Sequence, residues 1–321
     1  MALEYREWKE GDDLALLEIW GGPETLPAEQ FRAALAPSSN QPWRRCIVAE
    51  DVVDGVRIPV AAGVVHEASL HPERLWAYIE VAKDHRREGV GATLLTMLRR
   101  EAGNSPSGVS KLRSKVEPDT AGAAFAEAAG LGPIQRSQLV VVEPEPLSLP
   151  RFGDGSEEAA SERVEDLATG SVELSDVVGR YYSHVHHWDS PGELSIPTVQ
   201  RLFLHDLTGA HGAIVLRAPK ASAFGHGVPA SRKGKIQAFA ISYAQGDSDE
   251  PSDVFLGHDP ELSAEDAAFA VRDLLALIAY QHPVLLEVDE SMTALRAVLE
   301  PLLESGKAHV RGADTLIVSD K

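Results

Sequence analysis

The sequence predicts an α/β protein of two similar domains, each with a mixed central sheet flanked by helices. With 321 residues, the chain is long enough for two domains of ordinary size. In both halves, hydrophobic runs of strand length alternate with longer segments of helical periodicity, which favours sheets packed against helices. Between the halves, a proline-rich segment at 143–150 precedes a polar, acidic one at 151–170. We therefore expect domains at 1–147 and 171–321, joined by a linker at 148–170.

The first half predicts its elements in a definite order. Acidic residues at 12 and 13 favour a helix start, Asp54-Gly55 favours a hairpin turn, and Gly130 favours a helix end. The predicted elements are a strand at 3–8, helices at 14–20 and 27–35, strands at 45–50, 59–68 and 75–82, a helix at 90–102, a strand at 108–116, a helix at 121–129 and a strand at 138–143.

The segment 75–102 carries the pattern that says most about function. An apolar run at 76–82 is followed by Arg86-Arg87-Glu88-Gly89-Val90-Gly91 and then by leucines at helical spacing. Gly89 and Gly91 let the backbone approach a ligand closely. The free N–H groups and the dipole of the helix start favour an anion, and two arginines add positive charge. This turn is therefore predicted to bind phosphate.

In this context, Arg86-x-x-Gly89-x-Gly91 resembles the acetyl-CoA pyrophosphate loop of the GNAT acetyltransferase superfamily. The element order of 1–147 is also similar to that fold, whose sheet is mixed and mostly antiparallel. The resemblance implies an acyltransferase that takes acetyl-CoA as co-substrate and acetylates an amine. The cofactor contacts that it implies are Val81, Ala82, Arg86, Arg87, Glu88, Gly89, Val90, Gly91, Ala92, Thr93 and Asp119, the last at a position where the family often has Asn.

Four residues are candidates for the chemistry. Glu80 is the only carboxylate in the strand 76–82, and its apolar neighbours are expected to raise its pKa, as suits a general base. Glu80 could instead point to solvent or pair with a neighbouring strand. Glu67, beside His66, is the second choice of base, and His66 itself is a third. Tyr78 is two residues before Glu80 and therefore lies on the same face of the strand. It could line the pocket, pack in the core or act as general acid in place of the family's tyrosine, since Ala126 stands at that tyrosine's position.

The second half resembles a diverged copy of the first. It lacks the Arg-x-x-Gly-x-Gly pattern, and acidic residues crowd the corresponding helix start, where they would repel a pyrophosphate. These are Asp259, Glu261, Glu265 and Asp266. We therefore expect this copy not to bind CoA.

The second half also holds a cluster of His184, His186, His187 and Trp188. His184 and His187 are three apart, a spacing that could bind a metal or line a pocket. A packed aromatic patch or an interface is the simpler interpretation. No metal is expected, because acetyl transfer from CoA needs none.

Composition sets the remaining expectations. A net charge of −19 argues against nucleic-acid binding and is compatible with an amine substrate. One cysteine, Cys46, excludes an intrachain disulfide, and neither a secretory signal nor a membrane-spanning run is present. We expect a cytoplasmic monomer or homodimer that acetylates a small-molecule amine. Acetylation of a protein or peptide amine, and acyl-CoA sensing without catalysis, are the alternatives.

Overall fold

The computed structural model describes residues 3–219, 234–243 and 250–320. Its strands are β1 (Leu3–Glu7), β2 (Ser39–Asn40), β3 (Trp43–Val53), β4 (Val56–His66), β5 (Leu75–Val81), β6 (Leu112–Val116), β7 (Leu131–Val142), β8 (Val164–Leu167), β9 (Ala210–Arg217), β10 (Ile236–Tyr243), β11 (Ser252–His258), β12 (Val284–Asp289), β13 (Ala308–Val310) and β14 (Thr315–Asp320). Its α-helices are α1 (Asp12–Trp20), α2 (Leu26–Phe31), α3 (Val90–Ala102), α4 (Ala121–Ala128), α5 (Glu157–Arg163), α6 (Val172–Val185), α7 (Ile196–Val199), α8 (Ala264–Ile278) and α9 (Thr293–Glu304).

The chain divides into two compact units. Unit 1 comprises Met1–Arg136, Trp188–Gly192 and Asp314–Lys321, and unit 2 comprises Ser137–His187 and Glu193–Ala313. Both units combine a mostly antiparallel sheet with helices, which confirms the predicted α/β class. None of the helices in the described part of the chain has the length and apolar character needed to cross a bilayer.

The sheet of unit 1 has the strand order β1-β3-β4-β5-β6-β14. Its neighbours are antiparallel except for the pair of β5 and β6. The predicted hairpin joins β3 to β4 at Asp54 and Gly55, which both have positive φ angles, as a tight two-residue turn requires.

Helices cover both faces of this sheet. Leu94 and Leu98 of α3 pack with Ala61 and Leu75 on one face. On the other face, Leu16 of α1 belongs to a separate cluster with strand residues of β3 and β4 and with Ala28 of α2. Alternate residues of β4 and β5 therefore pack against different helices. The side of the sheet that α1 and α2 cover is called the α1–α2 face.

Unit 2 has the strand order β7-β12-β11-β10-β9-β8, with β13 also paired to β7. Its core contains a cluster of aromatic rings from Tyr181, Phe239 and Phe255. The one parallel pair described in this unit, β11 with β12, is aligned only at Ser252↔Val284 and Asp253↔Leu285. The parallel pair described in unit 1, β5 with β6, is also aligned over only two residues, so the two halves share this feature, as a duplication predicts.

Two elements show how the observed units differ from the predicted domain boundaries. β14, at the end of the chain, pairs with β6 inside unit 1 from Leu316↔Val116 to Ser319↔Arg113. The predicted linker contains α5 and β8, and β8 pairs with β9 in unit 2. Strand pairing between distant residues caused both differences, and local composition carries no signal for it. Ala244, the last residue of a strand predicted at 235–244, lies outside the described residues.

Candidate functional site

The loop between β5 and α3 has the conformation that its glycines predicted. A short 3-10 turn at Lys83–His85 leads to Arg87 and Gly89, whose φ angles are +67° and +83°. Gly89 is the N-cap residue of α3. A side chain at this φ would be strained, so the loop needs a glycine here. At Gly91 a Cβ would lie 3.6 Å from the ring of Phe125, an ordinary van der Waals contact, so space does not demand a glycine there.

The start of α3 is open to an anion. The first turn contains no acidic residue, and no side chain caps it. The amides of Val90, Gly91 and Ala92 precede the first intrahelical bond, which runs from the Thr93 amide to the Gly89 carbonyl (3.0 Å). The Thr93 hydroxyl donates to the same carbonyl (3.1 Å). Arg86, Arg87, Glu88 and Gly89 are exposed. The loop therefore offers main-chain donors and positive charge together.

Beside this loop, β5 and β6 separate. They are aligned only at Leu75↔Leu112 and Trp76↔Arg113, although β5 continues to Val81 and β6 to Val116. The Ala82 amide, predicted to face the cofactor, instead donates to the Val60 carbonyl of β4 (2.8 Å). The main-chain groups of Val81 therefore face away from β4. The Val81 carbonyl accepts a hydrogen bond from Arg86 Nε (2.9 Å), which ties the loop to the edge of the split.

Glu80 lies in an ion pair on the α1–α2 face. Arg32, in the 3-10 turn after α2, donates Nη2 to Glu80 Oε1 (2.6 Å) and Nε to Oε2 (2.9 Å). Tyr78 also donates its hydroxyl to Oε2 (2.6 Å). Arg32 is itself fixed by a bond from Nη1 to the Gly21 carbonyl (2.6 Å). Neither alternative considered for Glu80, solvent or a neighbouring strand, is what the structure shows. Arg32 is 48 residues away along the chain, and no pattern around Glu80 indicated this partner.

Trp76, Tyr78 and Glu80 share one face of β5, as their alternation predicted. The ring of Phe31 packs 5.0 Å from Trp76 and 6.0 Å from Tyr78, between centroids. Burial, and then the hydrogen bond to Glu80, raise the pKa of Tyr78 well above its ordinary value. The hydroxyl is therefore protonated at neutral pH, as its role of donor to Glu80 requires.

Two of the solved structures that resemble this chain cover nearly all of it. A GCN5-related N-acetyltransferase from Sphaerobacter thermophilus aligns with 99% of the chain and 95% of its own length, at 12% identity and a TM-score of 0.60. A tandem GNAT protein from the clavulanic acid biosynthesis pathway aligns with 99% and 98%, at 15% identity and a TM-score of 0.54. The chain has the tandem GNAT fold. No family model matches its sequence, and neither does any curated protein.

The other two candidate bases, Glu67 and His66, lie away from Glu80. β4 ends at His66, so Glu67 is just beyond the strand, where it accepts a bond from the Ser105 hydroxyl (3.1 Å). His66 is aligned with Trp76, whereas Ala62 is aligned with Glu80. Four strand residues span about 13 Å, so Glu67 and Glu80 do not form one site. Burial lowers the pKa of His66, which keeps its imidazole neutral.

The position of the family's tyrosine is apolar here. Ala126 is buried with Val116, Leu131 and Val318. The ring of its neighbour Phe125 packs near Gly91, at the start of α3. No hydroxyl is therefore available at this position for proton transfer.

Asp119 lies just before α4. It has a φ of +58° and precedes Thr120, the N-cap of α4, whose hydroxyl accepts from the Ala123 amide (3.2 Å). Asp119 and Glu127 line a mainly apolar pocket of about 890 Å³ between α4 and strands of unit 1. The lining of this pocket includes no residue from 80 to 93.

The histidine cluster separates into packed and exposed members. His186 stacks on Tyr182 with 3.8 Å between centroids, and its Nε2 is 3.4 Å from Asp289 Oδ2. His184 and His187 are exposed. Within the ranges that the structure describes, no group of three His, Cys, Asp or Glu residues is arranged to hold a metal ion. His186 thus belongs to a packed aromatic patch.

The cluster's neighbour Asp189 was missed in the sequence. Its buried carboxylate pairs with Arg113 and with Arg74 Nη1 (2.6 Å), all within unit 1. The guanidinium of Arg113 also lies 4.1 Å from the centroid of the Trp76 ring. An Asp at the end of a histidine-rich segment gave no indication of these partners.

The corresponding helix start in unit 2 is occupied by its own side chains. Ser263 caps α8 by accepting from the Asp266 amide (3.1 Å) and donates its hydroxyl to Asp266 Oδ2 (2.7 Å). Asp259 pairs with Arg180 (2.6 Å) and accepts from the Glu261 amide (3.0 Å). The main-chain N–H groups that are open at the start of α3 thus have counterparts at the start of α8 that are partly occupied. The side chains near the start of α8 are negatively charged.

Proposed function

We propose that this chain is an N-acetyltransferase that moves an acetyl group from acetyl-CoA, bound by unit 1, to an amine of a small molecule. The observation that supports this most is the split between β5 and β6 beside the uncapped start of α3. A split between strands admits an extended pantetheine arm, and the open helix start complements a pyrophosphate. The fold and the loop sequence agree with this chemistry.

The residues present fit the co-substrate. The amides of Val90, Gly91 and Ala92 would receive the pyrophosphate, with Arg86, Arg87, Glu88 and Gly89 forming the rest of the loop and Thr93 in the next turn. Val81 would face the thioester side. Acetyl-CoA supplies an activated acyl group, and the chain supplies position and proton transfer. Ala82 is a weaker candidate because its amide is already bonded to the Val60 carbonyl. Asp119 would contribute from the position before the N-cap of α4.

Glu80 is the proposed base, acting on the attacking amine directly or through water. Its carboxylate is held in one orientation by Arg32 and Tyr78. Attack is direct, because burial raises the pKa of the Cys46 thiol to about 12 and leaves it unreactive as a nucleophile. Tyr78 remains the candidate acid for the leaving thiolate.

Binding and turnover are tested separately. Calorimetry and thermal shift with acetyl-CoA and CoA measure binding, and thiol release against a panel of amines measures transfer. The proposal expects stabilisation by acetyl-CoA and thiol release with at least one small amine. No binding of either form of CoA would contradict it.

An acyl-CoA sensor is the second candidate, favoured by the apolar Ala126 at the position of the family's acid. Stabilisation by acetyl-CoA without thiol release from any small-molecule or peptide amine would support the sensor. Release with peptides alone would indicate a protein or peptide acetyltransferase.

A further inference from the structure

The acceptor side of the split can be identified from the side chains that flank it. Val81, Gly91 and Phe125 approach one another on the face covered by α3 and α4. The opposite face carries Tyr78 and Glu80. If acetyl-CoA enters from the α3 side, as proposed above, the amine must reach the thioester from the face of Glu80.

On that face, β6 contributes Lys115 next to the split. Arg113 is on the same face as Trp76, because its guanidinium lies over the Trp76 ring. Lys115 is two residues further along β6 and therefore points the same way. Gln30 of α2, adjacent to the Phe31 that packs on Tyr78, accepts a bond from Lys115 Nζ (3.3 Å). Lys115 therefore lies beneath α2 on the acceptor side.

The charges on this face do not suit a polycation. Both oxygens of Glu80 are engaged by Arg32. Glu117 directly follows β6, and its carboxylate accepts a hydrogen bond from the Leu26 amide at the start of α2 (2.8 Å). Arg113 is fully buried and paired with Asp189. By contrast, Lys115 is half-buried and donates a hydrogen bond to a neutral side-chain amide, that of Gln30, within the part of the chain that the structure describes.

We propose that the acceptor is a primary amine that carries a carboxylate close to the amine, as an amino acid does, and that Lys115 binds this carboxylate. The Nζ donors of Lys115 and the side-chain amide of Gln30 would receive the anion, while the amine faces Glu80. Because tethering both groups of one small molecule orients the amine, this contact raises acceptor specificity. The inference rests on the proposed function and names the substrate class of the same site.

Matched acceptors test this directly. Thiol release by the full chain is compared for amino acids and for the same compounds as amides or decarboxylated amines. An α-amino amide has the less basic amine, so chemistry alone would favour it. We expect the amino acids to have the higher kcat/KM. Equal or better turnover of the compounds without a carboxylate overturns the inference.

Lys115→Met gives the second test. Loss of a charge-assisted contact should lower kcat/KM for amino acids about 10- to 100-fold, mainly through KM, and leave their amides unchanged. Lys115→Glu should reverse the preference. Lys111→Met removes an exposed lysine just before β6 and serves as the control. An equal effect of Lys115→Met on both acceptor classes would overturn the inference.

Binding distinguishes this inference from the proposed function. Calorimetry measures amino-acid binding to the CoA-loaded protein, without turnover. If acetyl-CoA binds but amino acids neither bind nor react, the inference fails and cofactor binding stands. If acetyl-CoA itself does not bind, the proposed function fails as well.

Discussion

At the scale of single residues, the side chains with the most specific environments are Glu80 and Asp189. Each is a carboxylate paired with an arginine, and each has a second polar partner. They differ in exposure. The Glu80 pair is partly open to solvent, whereas the side chains of Asp189 and Arg113 are 0% and 1% exposed. The first can therefore take part in proton transfer, and the second is expected to stabilise unit 1.

Arg32→Met should lower kcat/KM about 10- to 100-fold if Glu80 is the base. The two bonds from Arg32 hold the Glu80 carboxylate in one orientation, and without them the side chain can turn away from the amine. We expect Arg32→Lys to restore part of the activity, and acetyl-CoA affinity, measured by calorimetry, to be unchanged in both variants.

The matched control is Arg57→Met, which breaks the exposed pair with Glu4 in the same unit. It should leave kcat/KM unchanged. An unchanged kcat/KM in Arg32→Met would remove Glu80 as the base, or Arg32 as the residue that positions it.

Asp189→Asn should strongly destabilise unit 1. It leaves the buried Arg113 without its charged partner, a type of change that costs about 3–5 kcal/mol in free energy of unfolding. Denaturant unfolding followed by tryptophan fluorescence checks this, because Trp76 lies against Arg113. Asp176→Asn is the control, since Asp176 is exposed and paired with Arg180, and should cost less than about 1 kcal/mol. Equal effects of the two variants would contradict the prediction.

At the scale of elements, two similar helix starts have opposite character. Gly89 begins α3 without a side-chain cap, and Ser263 begins α8 with a reciprocal bond to Asp266. A helix start attracts an anion only when its donors are open and no carboxylate is already there. The two units can therefore share a fold and differ in the ligand that they accept.

Gly89→Asp should weaken acetyl-CoA binding about 10-fold or more, because a carboxylate at the start of α3 repels the pyrophosphate. Gly108→Asp is a matched control, since Gly108 also has a positive φ and open space around it but lies beyond the far end of α3. Both variants should show a similar small loss of thermal stability. Calorimetry measures the affinities, and equal affinities in the two variants would count against the loop as the cofactor site.

At the scale of the whole molecule, the order of the chain does not follow the two compact units. Unit 1 takes β14 from the end of the chain and the segment Trp188–Gly192 from its middle. β14 aligns with β6 over four residues, and Val318 contributes to a buried cluster with Val116 and Ala126. The fold of unit 1 therefore depends on residues far outside 1–147.

Deletion of residues 314–321 should destabilise unit 1 and abolish stabilisation by acetyl-CoA. Without β14, the edge of β6 and the apolar cluster around Val116 become exposed. Deletion of Lys321 alone is the control. Thermal unfolding with and without acetyl-CoA measures both effects. A truncated protein that keeps full stabilisation would show that unit 1 does not need this strand.

The loop and the fold class were predictable because their determinants are local. The strand, Gly89 and the helix of 75–102 are continuous in the sequence, and each has a direct conformational consequence. The partners of Glu80 and Asp189 were not predictable. Arg32 and Arg113 lie 48 and 76 residues away from them, and ion pairs leave no periodic pattern.

The α/β class, the duplicated organisation and the loop at Gly89 follow from local sequence, since backbone preference and hydrophobic periodicity act over a few neighbouring residues. Tertiary packing was needed to place Glu80 against Arg32, Glu67 against Ser105 and β14 beside β6. These depend on strand register and on which distant side chains share a face of the sheet. Such contacts arise only when the chain packs, because their energy comes from desolvation and pairing between residues that are remote in sequence.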